Sequence, residues 1–220
     1  DANVYESPLI KWNTGVRFGR AKSIADQIAL HKDIVNGFFA VKEGQELGIL
    51  YAPTPLHSIT QMRPDGKTPY IDPSIASNYE VVNGIVVDKT TKQAQLTDAT
   101  DQSVLGSVYP KFNMSFINSV VIKNNLTISA QLDWYYGNKI YNTVRQWLYR
   151  DRLSRDYDDA ITIDGKPGAY VNFYNSLYNS VQPISWFVED GSFLRLRDLS
   201  VSYNFTDAVR VKWVKNLTLS

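Results

Sequence analysis

The sequence predicts an all-β protein, an antiparallel segment of a transmembrane β-barrel with two long extracellular loops. Three observations carry that prediction. Several stretches alternate apolar and polar residues, the period of a strand with two different faces. Two of these stretches, 111–122 and 126–136, are about twice the usual strand length of ~5–6 residues. The connections are unequal, and those at 53–109 and 137–190 far exceed the ~12–15 residues beyond which structureless links are uncommon in compact domains.

The elements follow in chain order. In 10–18, Ile10, Trp12, Val16 and Phe18 share a face. The link 19–37 has Ile24, Ile28 and Ile34 at loose helical spacing. In 39–51, read as one strand, Phe39, Val41, Leu47, Ile49 and Tyr51 lie together across a polar break at Glu43 and Gln45. The 111–136 stretch is a hairpin turning at Lys123-Asn124-Asn125. Its second arm sets Leu126, Ile128, Ala130, Leu132, Trp134 and Tyr136 against Thr127, Ser129, Gln131, Asp133 and Tyr135. In 189–205 the alternation changes phase near Arg197, which predicts a β-bulge at Arg197–Asp198. The expectation there is that 192–197 lies at or above the outer membrane edge and that the strand enters the bilayer from Asp198. A last strand starts at 216. The count is five substantial strands and a sixth cut short.

The apolar faces are expected to meet lipid, through Leu126, Ile128, Leu132, Trp134, Leu199, Val201, Tyr203 and Phe205. The polar faces are expected to line a lumen, through Gln131, Asp133, Tyr135, Ser200, Ser202 and Asn204. Trp134 and Tyr136 precede a long loop, where an interfacial aromatic girdle belongs. Outer-membrane barrels start at about 8 strands, so six cannot close one. Open edges in lipid leave unpaired backbone groups at several kcal/mol each. The expectation is therefore a piece of a larger barrel. A soluble β-sandwich, such as a carbohydrate-binding module, is the alternative.

Composition removes other classes. The 23 basic and 22 acidic residues nearly cancel, which lacks the basic excess of a nucleic-acid partner. Cysteine is absent, which excludes disulfides, thiolate zinc sites and cysteine nucleophiles. Abundant Tyr, Trp, Asn, Ser and Thr is β-type composition. No run reaches the ~20 apolar residues of a membrane helix, which leaves barrel strands open. The first residues, DANVYES, lack a signal peptide's basic and apolar regions. The expectation is that a leader has been removed or that the chain begins within a longer protein. His31 and His57 lack a ligand pattern, and Asp156, Asp158, Asp159 and Asp164 miss the EF-hand spacing, so neither a metal nor a cofactor is expected. Nothing places two carboxylates across a cleft, and no catalytic residue is assigned. A barrel enzyme is a third and weaker reading.

Four ordered motifs resemble one family. EDGSFLRLRDLSVSYNF at 189–205 resembles the "edgSFLRLknvslsYnl" signature of SusC/RagA-like TonB-dependent transporters, with Ser192, Phe193, Leu194, Arg195 and Leu196 its most specific part. Lys11-Trp12-Asn13-Thr14 resembles "kWetT", and Glu43-Gly44-Gln45-Glu46-Leu47-Gly48 resembles "vGqplG". Residues 105–112, LGSVYPKF, resemble "lGnpyPkf", followed by 136–142, YGNKIYN, resembling "G.diyN". Arg17-Phe18-Gly19-Arg20 departs from the Asn-rich continuation common in the family.

The resemblance implies a barrel of about 22 strands, of which 1–220 would supply about six. The plug domain, the TonB box and the final strands would lie elsewhere. It implies a Gram-negative outer-membrane location and import of oligosaccharides or peptides, with no bond made or broken. A SusD-like surface lipoprotein would act as lid, and the TonB complex would supply energy. On that reading Tyr70, Tyr79, Tyr157, Tyr170 and Tyr174 are candidates for ligand or lid contacts, with loop packing the plainer role for each.

Overall fold

The computed structural model describes residues 1–158, 161–163, 166–168, 171–178, 183–205 and 218–219. The chain divides into two compact units. The first comprises Asp1–Lys22, Pro110–Asn138 and Gly191–Ser220. It holds one antiparallel sheet of six strands: β1 (Ala2–Glu6), β2 (Ile10–Gly19), β3 (Phe112–Ile122), β4 (Leu126–Tyr136), β5 (Phe193–Asn204) and β6 (Thr218–Leu219). Each strand pairs with its neighbours in chain order, so the sheet is an open meander with β1 and β6 at its edges. The short β3–β4 turn places Lys123 and Asn124 at positive φ. The long segments 20–111 and 137–192 both leave and re-enter at the opposite end of the strands.

Two expectations about this sheet are corrected. The stretch 39–51 is not one strand. It forms two short strands, Phe39–Val41 and Ile49–Ala52, paired through Phe39↔Leu50 and Ala40↔Ile49. The polar break between them is a turn region with Gly44 and Gly48 both at φ 72, a left-handed conformation that costs glycine nothing. Both strands belong to the second unit, and β1 supplies the sixth strand of the long sheet instead. β1 is irregular, with a register shift between Asn3 and Tyr5, which blurs its alternation.

The bulge in β5 falls where the phase changes. Gln131 pairs with Asp198 and Leu132 with Leu196, which leaves Arg197 as the extra residue. Its consequence for the faces is read from the register. Leu194 lies opposite Trp134, Leu196 opposite Leu132, and Leu199 opposite Ala130. The inserted residue therefore keeps Leu194, Leu196, Leu199, Val201 and Tyr203 on one face, and the apolar stripe runs through the seam unbroken.

The motif residues meet at the end of the sheet nearest the long segments. The Lys111 amide donates to the Tyr136 carbonyl at 2.8 Å, and the Gly191 amide to the Asn138 carbonyl at 2.8 Å. The Ser192 hydroxyl accepts from the Gly137 amide at 2.8 Å. Gly137 has φ +85, and a Cβ there would stand 2.8 Å from the Lys111 side chain. Gly137→Ala is thus expected to cost about 1–2 kcal/mol, read as a lowered unfolding midpoint. An unchanged midpoint would show that this turn relaxes freely.

The second unit comprises Ser23–Tyr109 and Lys139–Asp190. The two long segments are themselves folded and together build one body. Ile34–Asn36, Phe39–Val41, Ile49–Ala52 and Ser103–Ser107 form a four-stranded sheet. Tyr79–Val82 and Ile85–Asp88 form a hairpin whose Asn83-Gly84 turn has both residues at positive φ, as tight hairpins require. A helix, α1 (Thr143–Arg150), is capped by the Asn142 side chain, which accepts from the Arg145 amide at 2.9 Å. A shorter helix, α2, spans Val171–Ser176.

The main core of this unit joins Val82, Ile85, Val87 and Ala94 from one segment to Tyr149, Phe173, Tyr174, Leu177 and Phe187 from the other. A smaller cluster gathers Leu56, Ile71 and Val86. Inside the main core the Tyr149 hydroxyl donates to Asp156 and accepts from the Trp186 indole at 2.9 Å. Burial, chiefly, pushes the Tyr149 phenol well above its ordinary range.

Aspartates hold several surface turns of this unit. Asp65 accepts the Lys67 and Thr68 amides at 2.8 and 2.9 Å and the Thr68 hydroxyl at 2.7 Å. These bonds, the Thr68 amide first, hold its carboxyl at about 2. Because the folded value lies below the ~3.9 of a free aspartate, the carboxylate supports the turn above pH ~4. That support is lost as pH falls from about 4 through about 2. The Lys67 and Thr68 amide resonances are expected to shift over this window, and flat resonances down to pH ~1.5 would refute the assignment.

Candidate functional site on the polar face of the long sheet

Register fixes which side chains share a face. On the apolar face, cross-strand rows read Ile10–Ile122–Leu126–Tyr203, Trp12–Val120–Ile128–Val201 and Val16–Phe116–Leu132–Leu196. Polar Thr14 and Asn118 on this face are bonded, Thr14 to the Ile117 carbonyl at 3.3 Å and Asn118 to the Trp12 indole at 3.3 Å. Leu199 is 63% exposed and Val201 55%. In a sandwich such side chains form the core, whereas here they are exposed. Aromatic rings gather at both ends of this face. Phe18, Phe112, Trp134 and Tyr136 lie 5.0 to 5.9 Å apart at one end, and Tyr203 stands 4.6 Å from Phe205 at the other.

The opposite face carries the polar groups. Its central row runs Arg17–Ser115–Asp133–Arg195 across four strands. Asp133 is only 3% exposed. Its Oδ1 accepts from Ser115 Oγ at 2.8 Å and Gln131 Nε2 at 2.9 Å, and its Oδ2 from Arg197 Nη1 at 3.1 Å. A buried carboxylate needs such partners, since an unpaired one pays a large desolvation cost. The bulge makes the set complete, because the extra residue is the one whose guanidinium reaches back over Asp133. Ser129 donates to Ser119 at 3.3 Å two rows further along. Toward the other end, Tyr135 stacks on Phe193 at 4.9 Å, and the Arg195 guanidinium sits 5.1 Å from the Phe193 ring. A groove of about 350 Å³ is lined by Asp1, Asn13, Arg17 and Ser119 among others, and the Asp1 carboxylate stands directly over Gly15.

The residues expected in a lumen, Gln131, Asp133, Tyr135, Ser200, Ser202 and Asn204, all lie on this polar side. Those expected to face lipid lie on the other, with Phe205 just past the end of β5. Alternation alone does not show that Arg17, Ser115 and Arg195 share the Asp133 row, or that Arg197 reaches Asp133. The phase change at Arg197 was the available signal for the last.

The candidate ligand tyrosines are elsewhere. Tyr174 is 7% exposed inside the main core of the second unit, and Tyr157 packs against that core. The Tyr157 hydroxyl donates to the Tyr149 carbonyl at 3.0 Å. Tyr70 and Tyr79 pack against the smaller cluster. Tyr170 lies outside the described residues. Of the four that are described, Tyr174 is buried and Tyr70, Tyr79 and Tyr157 are half-buried. Among the described residues no group of three His, Asp or Glu side chains could hold a metal ion.

These features define a class: an all-antiparallel meander of long strands, greasy on one face and hydrogen-bonded on the other, with a short turn between β3 and β4 and long segments between β2 and β3 and between β4 and β5. The same fold occurs in solved structures. A chain of the RagAB peptide importer in the "closed-closed" state matches 99% of this chain at a TM-score of 0.60 and 15% identity. A chain of the RagAB peptide transporter matches 99% at a TM-score of 0.61 and 14% identity. This chain spans about a quarter of those chains, 25% and 24% of their lengths. No protein-family model matches the sequence, and no curated protein matches it. At these identities the likeness shows a shared fold.

Proposed function

We propose that this chain is part of the barrel of a SusC/RagA-like, TonB-dependent outer-membrane importer, and that it is not an enzyme. The observation that carries the reading is the two-faced meander. β3 and β4 each have 11 residues, about 37 Å at ~3.4 Å per residue. At a barrel tilt of ~45° that is close to the ~25 Å apolar band of outer-membrane proteins. The exposed apolar face, with aromatic rings at both ends, suits lipid and its two interfaces. The polar face then lines the lumen. Residues 1–220 would supply six strands, with the remaining strands, the plug and the TonB box in other parts of the protein.

The long insertions would lie on the extracellular side, where a SusD-like lipoprotein acts as lid. The cargo would be a bulky nutrient, a peptide or an oligosaccharide, and the RagAB likeness favours peptides. Energy would come from the TonB complex. Fractionation tests the reading: the polypeptide that contains this chain is expected in the outer membrane and is expected to need detergent for extraction. A monodisperse, detergent-free 220-residue monomer would overturn it.

A further inference from the structure

We propose that Asn36 is a site of spontaneous deamidation, at which the Gly37 amide nitrogen attacks the side chain and the carboxamide becomes a carboxylate. The inference is independent of the transporter reading. The Gly37 nitrogen adds to Asn36 Cγ, and the new C–N bond closes a succinimide ring. The Gly37 N–H proton passes to a solvent base, and the carboxamide nitrogen leaves as ammonia. Water then opens the ring at either carbonyl. Cleavage on the side-chain arm restores the ordinary main chain and leaves aspartate. Cleavage on the main-chain arm routes the chain through the former side chain and leaves isoaspartate.

This chemistry needs an unhindered neighbouring amide, a carboxamide with no competing bond, and backbone freedom to bring the two together. Asn36 ends the short strand Ile34–Asn36 and pairs with Phe39 across the turn. Asn36 and Gly37 are both exposed, and among the described residues neither the Asn36 side chain nor the Gly37 amide makes a hydrogen bond. Nothing lies within 4 Å of the place a Gly37 Cβ would take. The strand is poorly anchored, since Ile34 and Val35 are exposed and so is Phe39 opposite. Local opening is cheapest where few apolar contacts are buried, so this hairpin tip is free to swing into the cyclising geometry.

The other pairs of this kind that are described are held. Asn83-Gly84 turns between Val82 and Ile85, both buried, and the His57 ring donates to the Gly84 carbonyl at 2.7 Å. In Asp65-Gly66 the carboxylate is taken up by the Lys67 and Thr68 amides. In Asp190-Gly191 the attacking amide is already spent on the Asn138 carbonyl. Isoaspartate at 36 would add a carbon to the main chain where Asn36 faces Phe39, which ends that pairing.

The test incubates the intact folded protein in mildly alkaline buffer, with the urea-unfolded chain as reference. Amide-to-acid conversion is followed by mass spectrometry of proteolytic peptides. The unfolded chain is expected to convert both Asn-Gly pairs at similar rates, because the dipeptide alone then acts. In the folded protein Asn36 is expected to convert about tenfold faster than Asn83 or more, a difference of about 1.4 kcal/mol in barrier. Asn36→Gln, which would have to close a larger ring, is expected to keep the fold and lose the conversion at 36. An Asn36 amide that persists in the folded protein while the unfolded chain converts would overturn the proposal. So would folded-state conversion at Asn83 as fast as at Asn36, or an unfolded chain that keeps its Asn36 amide.

Discussion

If the proposed barrel reading holds, Leu199→Arg is expected to destabilise the protein by about 2–4 kcal/mol, while Ser200→Arg, one residue further on, is expected to be tolerated. Leu199 sits in the row Thr14–Asn118–Ala130–Leu199, midway between the aromatic groups at the two ends of the apolar face. A guanidinium there would stand near the centre of the hydrocarbon. Ser200, opposite Ser129, points to the other face, where an arginine has water and polar neighbours. Val201→Arg, one row nearer the short turn, is expected to have the same sign and a smaller size, since the penalty fades toward the interface. The check is equilibrium unfolding from lipid vesicles. Equal effects at 199 and 200 would refute the assignment of faces.

Phe187→Ala is expected to cost about 3–5 kcal/mol of the second unit's stability. Phe187 is fully buried and meets the Tyr149 ring edge-on at 5.1 Å and the Tyr141 ring at 6.3 Å. Truncation leaves a cavity that this aromatic packing fills only in part. The core it serves takes side chains from both insertions, so the loss is expected to spread. Limited proteolysis is expected to open sites in 23–109 as well as in 139–190, while the long sheet stays protected. Cleavage confined to 139–190 would show that the two insertions fold separately. Val87→Ala, from the other segment, is expected to loosen 139–190 in return, since Val87 is equally buried in the same core.

Much of the long sheet was legible because its signals are local. The hairpin at 111–136 announces itself by alternation and by a short polar turn, both read within a few residues. The bulge at Arg197 was legible for the same reason, as a change of phase. The single strand expected over 39–51 failed because two short strands in matching phase, joined by a glycine turn, imitate one long one. β1 was missed because five residues with a register irregularity show no clean period. The second unit was invisible because its core joins Val82 and Val87 to Tyr149 and Phe187. Nothing local marks residues that meet only after the intervening chain has folded. The tyrosines proposed for ligand contact were placed on loops for lack of that core.

The sequence by itself determined the two faces of the long strands and the position of the seam, because side-chain direction in a strand alternates whatever the strand pairs with. Only the tertiary structure decided which strands are neighbours and in what register. That register carries Arg17 and Arg195 into the row of Asp133 and hands the bulge residue, Arg197, to the buried carboxylate. Alternation says which way a side chain points. Cross-strand hydrogen bonding says what it meets, and that depends on residues far away along the chain, 64 positions for Asp133 and Arg197.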